Sequence, residues 1–182
     1  NFENNGSYSA STKGHYDTVS VYNNLGIRFF DGLNLSSFMR NDKNKRTGSH
    51  KTYKIDLEKK NEDFIFGVAR MTGLRHPTIY ELYGTDNYGY SGNKNLLPEK
   101  SITNELYFNY NFINNWSFVS TLFKSNISDQ ISYSNNQYIN NKDGVDLNQK
   151  GINSSIKYFN NNSSLNLFSN LLTTEKKNGK DQ

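Results

Sequence analysis

Histidine is the residue type in this chain best suited to acid–base chemistry or metal binding, and the chain has three. His15, His50 and His76 lie far apart in the sequence, and none has an Asp or Cys partner at a spacing typical of metal ligands. The chain contains no Cys, which removes thiol nucleophiles, Cys-based metal sites and disulfides together. We therefore predict no catalytic residue, no metal site and no cofactor.

Three carboxylates, Glu81, Glu99 and Glu105, allow two interpretations. Paired carboxylates can act as a general acid and a general base. They can also accept hydrogen bonds that tie a loop to a strand, because buried polar groups need partners. The second role is the one we expect here.

A Tyr- and Gly-rich segment over residues 85–91 is the best candidate for ligand contact. Tyr presents a broad amphipathic surface at low entropic cost, and flanking Gly residues let the backbone approach a ligand. An exposed loop that only packs on its neighbours is the alternative. The ligand-contact candidates are Tyr83, Asn87, Tyr88 and Tyr90.

The elements that position these residues are predicted to be long strands, because apolar and polar residues alternate with a period of two. Ile102, Leu106 and Phe108 share one parity, while Glu105 and Asn109 share the other. The same alternation recurs around residues 19–29, 53–58, 64–68 and 152–158. Segments at 33–42, 116–134 and 164–174 also resemble strands, but which of their residues face which side stays open.

The connections between the predicted strands alternate between tight and long. Asp-Gly and Asn-rich turns supply the positive φ that short hairpins demand. In an antiparallel up-and-down meander, this alternation places all tight turns at one end of the sheet and all long loops at the other. The tight turns are predicted at 31–32, 60–62, 113–115 and 160–163, and the longer loops at 43–48, 75–100 and 135–137.

Aromatic residues mark the tight-turn end of every predicted hairpin. Rings at one level match the girdle of a transmembrane β-barrel, and strands of about ten residues are long enough to cross a bilayer when tilted. A secreted soluble β-sandwich that binds glycans is the alternative, because aromatic residues favour soluble strands as well. The residues concerned are Phe29, Phe30, Phe64, Phe66, Phe112, Trp116, Tyr158 and Phe159.

Composition narrows the class of protein further. Hydrophobic residues make up only 34% of the chain, yet aromatic residues reach 14%, which is unlike a disordered chain. No stretch approaches the roughly 20 apolar residues that a membrane-spanning helix needs, so a helical membrane protein is excluded. The Lys and Arg residues are scattered along the chain, so we predict no nucleic-acid partner.

One stretch carries a family resemblance. Residues 73–84 read Gly-Leu-Arg-His-Pro-Thr-Ile-Tyr-Glu-Leu-Tyr-Gly, and residues 92–101 read Gly-Asn-Lys-Asn-Leu-Leu-Pro-Glu-Lys-Ser. Both runs resemble the β-barrel of TonB-dependent outer-membrane receptors, although that pattern usually has Ala at His76 and Pro at Lys94. The matching positions are Pro77, Thr78, Tyr80, Glu81, Leu82, Tyr83, Gly84, Gly92, Asn93, Pro98, Glu99 and Glu105.

The resemblance implies an all-β fold, with about seven or eight long strands forming part of a transmembrane barrel of roughly 22 strands. Residues 1–182 would be a partial barrel domain, with the N-terminal plug domain and the C-terminal strands lying outside them. The implied location is the bacterial outer membrane.

The resemblance also implies function and partners. The whole receptor would take up a ferric siderophore or a cobalamin with energy from TonB, which acts through the plug region. Lipid and lipopolysaccharide would be further partners. Lys43, Lys45 and Arg46 in an outward loop are candidates to meet lipopolysaccharide phosphates, and a solvated charge cluster is the ordinary alternative. A general diffusion porin, which lacks a plug, is a third possibility.

Overall fold

The structure, a computed structural model, describes residues 10–11, 17–112, 115–140 and 146–177. Most of these residues lie in strands, and the one α-helix among them, α1, covers only Ile79–Tyr83. No helix in these ranges is long and apolar enough to cross a membrane. The strands are β1 (Ala10–Ser11), β2 (Thr18–Arg28), β3 (Leu33–Asn44), β4 (Gly48–Lys60), β5 (Phe64–Arg75), β6 (Thr85–Asp86), β7 (Glu99–Asn111), β8 (Trp116–Ser128), β9 (Ile131–Ser134), β10 (Gln137–Asn140), β11 (Asp146–Phe159) and β12 (Ser164–Lys177).

Eight long strands form one antiparallel sheet in the order β12-β11-β8-β7-β5-β4-β3-β2. Each strand pairs with the long strand next to it in the chain, so the predicted up-and-down meander is confirmed. The short strands form two separate pairs, β1 with β6 and β9 with β10. Within the described ranges the long strands make a single layer, which does not fit the β-sandwich alternative because a sandwich needs two packed sheets.

The register of the sheet divides its side chains between a polar and an apolar face. On the polar face, Ala69 lies opposite both Asp56 and Glu105, and the Tyr107 hydroxyl donates a hydrogen bond to Asp56 Oδ1 at 2.9 Å. The apolar face carries a continuous row of aliphatic residues across six strands, in which each residue lies opposite the next. The row comprises Leu57, Val68, Leu106, Leu122, Ile152 and Leu171.

The register also shows which side chains face which side of the sheet in the three segments left open by the sequence, 33–42, 116–134 and 164–174. Each of them places a large apolar side chain on the polar face, and this is why alternation alone did not phase them. The exceptions are Phe38 in β3, Val119, Phe123 and Ile127 in β8, and Phe168 and Leu172 in β12. The remaining apolar residues lie on the apolar face, namely Leu33, Leu35, Met39, Trp116, Phe118, Leu122, Leu165, Leu167 and Leu171.

Aromatic rings gather at one level of the apolar face, at the tight-turn end. Tyr110 lies opposite both Phe64 and Phe118 in neighbouring strands. The rings of Trp116 and Tyr158 contact each other with centroids 4.9 Å apart. Of the predicted aromatic residues, Phe64, Phe66, Trp116 and Tyr158 therefore lie together on this face, whereas Phe159 lies on the polar face.

Two glycines let aromatic rings lie flat on the polar face. Gly67 pairs with Tyr107, and Gly151 pairs with Phe123. A Cβ atom would lie 2.3 Å from the Tyr107 ring at Gly67 and 2.8 Å from the Phe123 ring at Gly151. Because glycine lacks that atom, each ring can cover the neighbouring strand.

The tight turns use two mechanisms where one was predicted. Asp31, Gly32 and Asn115 have positive φ angles of 54°, 69° and 66°, as predicted. Positive φ is not how the turns at Asn61 and Asn160 are made. In these turns the Asn side-chain oxygen accepts two backbone N–H groups that follow it. Asn61 accepts those of Asp63 and Phe64, and Asn160 accepts those of Asn162 and Ser163.

Two of the connections predicted to be long are short. β3 continues to Asn44 and β4 begins at Gly48, so the predicted loop at 43–48 is a turn of three residues. Its polar residues belong to the strand end, where Asp42 and Asn44 are buried and satisfied by hydrogen bonds. The loop predicted at 135–137 is a two-residue turn with φ angles of 50° and 57°, and it joins two short strands, β9 and β10.

Candidate functional site

The outer loop assembly, defined as residues 76–98 and the β9–β10 hairpin at 131–140, covers the long-loop end of the sheet. Arg75 and Glu99 pair at the edge of this assembly, where β5 ends and β7 begins. Arg75 Nε lies 2.6 Å from Glu99 Oε2, and Arg75 Nη2 lies 3.0 Å from Glu99 Oε1. Arg75 Nη1 also reaches Glu81 Oε2 at 3.3 Å. One guanidinium group therefore ties two strands to α1.

The short helix α1 is set by its capping residues. The Thr78 hydroxyl accepts the Glu81 N–H at 3.1 Å, while the Glu81 carboxylate accepts the Thr78 N–H at 2.6 Å. This reciprocal capping box satisfies N–H groups that a helix start leaves open. Pro77 and Leu82 are the most deeply buried large side chains described, so the helix is anchored by packing as well.

Tyr90 is the aromatic centre of the loop assembly and is only 4% exposed. Its ring stacks on Tyr80 with centroids 4.8 Å apart, and its hydroxyl donates to the Tyr80 carbonyl oxygen at 2.8 Å. Burial raises the pKa of Tyr90 to about 12, with nearby Tyr138 and Glu81 adding to the shift. In this conformation Tyr90 supports the loop and does not present its ring to solvent.

Two glycines close the loop on itself. The Gly92 N–H donates to the Gly84 carbonyl oxygen at 2.7 Å. A Cβ atom on Gly92 would lie 2.5 Å from the backbone of Leu82 and Tyr83, so only glycine allows this approach. The adjacent Asn93 donates its N–H to the Glu81 carbonyl oxygen at 2.9 Å.

The β9–β10 hairpin is bound to the loop by side-chain amides and by Glu99. Asn93 Nδ2 donates to the Tyr138 carbonyl oxygen at 2.9 Å. Asn140 bridges to Leu97 by accepting its N–H at 2.7 Å and donating to its carbonyl oxygen at 2.9 Å. Glu99 Oε1 accepts the Ile131 N–H at 2.7 Å. Leu82, Leu96 and Ile131 then form a small hydrophobic core.

Arg75, Thr78, Glu81, Gly92 and Glu99 thus act together to fix the shape of the loop, and we call these five residues the latch. Glu81 and Glu99 make the hydrogen bonds that tie loop to strand, as predicted. Pro98 is buried where the loop enters β7. Glu105 is not brought to this cluster, because it lies six residues further along β7 on the polar face of the sheet.

The exposed rim of the assembly contains the other ligand-contact candidates. Tyr88 is 60% exposed and Asn87 is also exposed. The half-buried Tyr83 ring lies 5.7 Å from the Arg46 guanidinium and 5.8 Å from Lys94 Nζ, measured to the ring centroid. Contact of Tyr83, Asn87, Tyr88 and Tyr90 with a ligand stays a prediction.

The three cations predicted to form one outward cluster separate in the structure. Lys43 and Lys45 are exposed, and Lys45 Nζ lies 3.8 Å from Asp17. Arg46 instead turns toward the loop assembly, where it donates a hydrogen bond to the Lys94 carbonyl oxygen.

Sequence reasoning missed a contact between two histidines at the base of the assembly. The rings of His50 and His76 meet edge to face with centroids 5.7 Å apart. Both rings contact Thr47. His50 Nε2 lies 2.8 Å from the Thr47 carbonyl oxygen, and His76 Nδ1 lies 3.2 Å from the Thr47 hydroxyl oxygen. The side chains within the described ranges include no group of three or more His, Cys, Asp or Glu residues arranged for a metal ion.

Comparison with known proteins gives a family and a fold. A family model described as "TonB dependent receptor-like, beta-barrel" matches residues 1–182. No curated protein matches the chain. Among solved structures, the chain is similar to the siderophore receptor PirA from Pseudomonas aeruginosa, with a TM-score of 0.72 and 20% identity over 86% of this chain and 32% of that one.

Two further structures share the fold. The FrpB iron transporter from Neisseria meningitidis has a TM-score of 0.67 and 15% identity over 87% of this chain and 26% of its own. The copper transporter OprC has a TM-score of 0.63 and 14% identity over 85% of this chain and 28% of its own. The chain spans 32% or less of the length of each of these proteins. Because the family model matches all 182 residues, the chain belongs to the TonB-dependent receptor-like β-barrel family.

Proposed function

We propose that this chain is part of the wall and outward loops of an outer-membrane receptor that imports a scarce nutrient with energy from TonB. The observation that carries the proposal is the combination of a two-faced antiparallel meander with a folded loop assembly at one end. The apolar face, with its aromatic belt, suits contact with lipid, and the polar face suits a wet barrel interior.

The cargo we propose is a ferric siderophore. Two similar proteins support this class, since one is a siderophore receptor and the other an iron transporter. The rim of the loop assembly agrees in its chemistry, because the Tyr83 ring lies beside the cations Arg46 and Lys94. Cations and aromatic faces together suit an anionic aromatic iron chelate. Cobalamin is the second candidate.

The rest of the receptor is proposed to lie outside this chain. A barrel of roughly 22 strands and a plug domain that couples to TonB would complete it, with residues 1–182 as a partial barrel domain. The short fraction of the similar structures that the chain spans supports this arrangement.

Uptake by the full-length receptor tests the proposal. The receptor would be expressed in cells that lack their own siderophore and cobalamin receptors, with and without TonB, and given labelled ferric catecholate siderophore or labelled cobalamin. We expect TonB-dependent uptake of the iron complex. Uptake of cobalamin alone would replace the cargo, and uptake that does not need TonB would contradict the mechanism.

A double variant tests the ligand contact. Asn87→Ala with Tyr88→Ala removes exposed side chains without touching the latch, so we expect binding to weaken about tenfold, as is typical of the loss of one aromatic contact residue. Asn161→Ala with Asn162→Ala, in the tight turn at the opposite end of the sheet, is the matched control. Unchanged affinity in the first variant would exclude these two residues as contacts.

A further inference from the structure

The tip of the outer loop assembly treats two tyrosines of the same segment differently. The loop tip, residues 86–90, reads Asp-Asn-Tyr-Gly-Tyr. Tyr88 is exposed on it, whereas Tyr90 is buried in the assembly. Gly89 lies between them and has a positive φ of 88°, a conformation that favours glycine. The backbone turn in the loop tip therefore decides where the Tyr88 ring stands.

One carboxylate oxygen holds this turn. Asp86 Oδ1 accepts the Tyr88 N–H at 2.8 Å and the Tyr90 N–H at 3.0 Å. These two amide groups flank Gly89, the residue with the greatest backbone freedom. Asp favours turns because its side chain can accept backbone N–H groups that follow it in the chain. Loss of the Asp86 side chain would therefore release both sides of the turn together.

The base of the loop tip is anchored without the Asp86 side chain. The Asp86 N–H donates to the Tyr90 carbonyl oxygen at 3.3 Å. Strand β6 pairs with β1, which places Ala10 opposite Asp86. Thr85 also forms a β-bridge with Ser91. We therefore expect loss of this carboxylate to loosen the loop tip and to leave the latch folded.

A fixed loop tip favours binding because a mobile contact must be ordered when a ligand binds. A side chain that is already held before the ligand arrives costs little entropy on binding. Tyr88 suits this arrangement, since a Tyr side chain has only two χ angles of its own to order. The same ring on a loosened tip would bind more weakly, although no contact with the ligand had been removed.

We propose that Asp86 is a positioning residue that holds Tyr88 in place for contact with the cargo of the receptor. This inference rests on the proposed function and on Tyr88 as a ligand contact. The role belongs to the acceptor oxygen, which an Asn side chain also carries. It does not belong to the negative charge, because a carboxylate repels the anionic iron chelate proposed as cargo.

Two substitutions of Asp86 in the full-length receptor separate the acceptor from the charge. Asp86→Ala removes both, whereas Asp86→Asn removes the charge alone. Each would be made in the wild type and in the double variant Asn87→Ala with Tyr88→Ala, with heat-modifiable gel mobility as the check of folding. Asp63→Ala, which removes an exposed carboxylate at the tight-turn end, is the matched control.

Two measurements on each variant report the loop tip and its role in binding. Hydrogen exchange of the backbone amides in residues 85–91, followed by mass spectrometry, shows how firmly the loop tip is held. Affinity would be measured for both probes of the uptake assay, the ferric catecholate siderophore and cobalamin. We expect Asp86→Ala to exchange faster and to bind the probe that the wild type binds about fivefold more weakly, as is typical of the loss of a hydrogen bond. Asp86→Asn should recover most of both properties, and Asp63→Ala should match the wild type.

The double-variant background shows whether Asp86 acts through the residues of the loop tip. In that background Asp86→Ala should weaken binding no further, because the contact that Asp86 positions is already absent. A further loss of similar size would mean that Asp86 contacts the cargo itself, and it would overturn the proposal.

Three other results in the wild-type background would also overturn the positioning role. They are unchanged exchange in Asp86→Ala, unchanged affinity in Asp86→Ala, and an equal loss of affinity in Asp86→Asn. A wild-type receptor that binds neither probe would instead show failure of the proposed function, and the role of Asp86 in binding would fall with it.

Discussion

His50 and His76 are the clearest case in which single residues gain a property from the fold. Burial lowers the pKa of His76, the neighbouring His50 and Arg40 lower it further, and Asp42 acts in the opposite direction. A histidine with a lowered folded pKa stabilises the protein above its unfolded pKa of about 6.5. That contribution is lost as the pH falls below this value through the folded pKa.

Titration of His76 tests this environment. Selective labelling and NMR of the full-length receptor should give a pKa for His76 below 6.5. The variant His50→Asn removes a neighbouring positive charge, so the pKa of His76 should move back upward. A pKa of His76 at or above 6.5, or no response to His50→Asn, would contradict the geometry of the pair.

The sequence predicts which residues of the motif matter better than it predicts what they do. Glu81 and Glu99 were expected to tie loop to strand, and they do, but their shared partner Arg75 was not identified. The His50–His76 contact has no local signal, because it depends on where β4 begins and where β5 ends. Tyr90 and Tyr88 look alike in sequence, yet one is buried and the other is exposed. Only the closure of the loop distinguishes them.

At the scale of elements, the outer loop assembly is a folded unit with its own small core. Helix α1, the turn around Gly92 and the β9–β10 hairpin all meet at Leu82. Because the latch is built from backbone contacts as well as side chains, it depends on close approach of the chain to itself. Loops are usually the least ordered part of a β protein, whereas this one is fixed at both ends.

The variant Gly92→Ala tests the latch. The added Cβ atom would meet the backbone of Leu82 and Tyr83 at 2.5 Å, so the loop must open, at a cost of about 1–3 kcal/mol. We expect faster trypsin cleavage after the exposed Lys94 in the folded receptor. Gly26→Ala is the control, because its Cβ atom would meet nothing within 4 Å. Equal cleavage rates in the two variants would show that the loop does not depend on this contact.

The sequence predicts that a segment is a strand more readily than it predicts which face of the sheet each side chain occupies. Alternation predicts β7 well because Ile102, Leu106 and Phe108 all lie on one face. It does not phase β8 or β12, because Phe123 and Phe168 occupy the polar face. Polar residues near 43–48 suggested a loop, but strand ends that project beyond the apolar band are themselves polar.

For the molecule as a whole, β2 and β12 form the two edges of the long-stranded sheet within the part of the chain that the structure describes. Membership of a receptor family agrees with the prediction that the chain is not an enzyme. Its low hydrophobic content follows from the sheet, since only one face needs to be apolar. The strand number proposed for the whole barrel and the proposed plug domain do not follow from the pattern of these residues, because both rest on the family resemblance.

The isolated 182-residue chain is predicted to aggregate or to fail to insert into a membrane. Unpaired edge strands and an exposed apolar face both favour association with other chains. Size-exclusion chromatography without detergent would measure this. A monodisperse monomer with a cooperative thermal transition would contradict the membrane account and favour a secreted soluble module.

The orientation of the chain in the outer membrane shows whether its loop assembly faces outward and its tight turns face inward. Single cysteines would be introduced into a cysteine-free full-length receptor at Tyr88 in the loop assembly, Leu122 on the apolar face and Asn162 in a tight turn. With a membrane-impermeant thiol reagent, we predict labelling of Tyr88→Cys in intact cells, labelling of Asn162→Cys only after the outer membrane is opened, and no labelling of Leu122→Cys. Labelling of Asn162→Cys in intact cells with Tyr88→Cys protected, or free labelling of Leu122→Cys, would contradict the account.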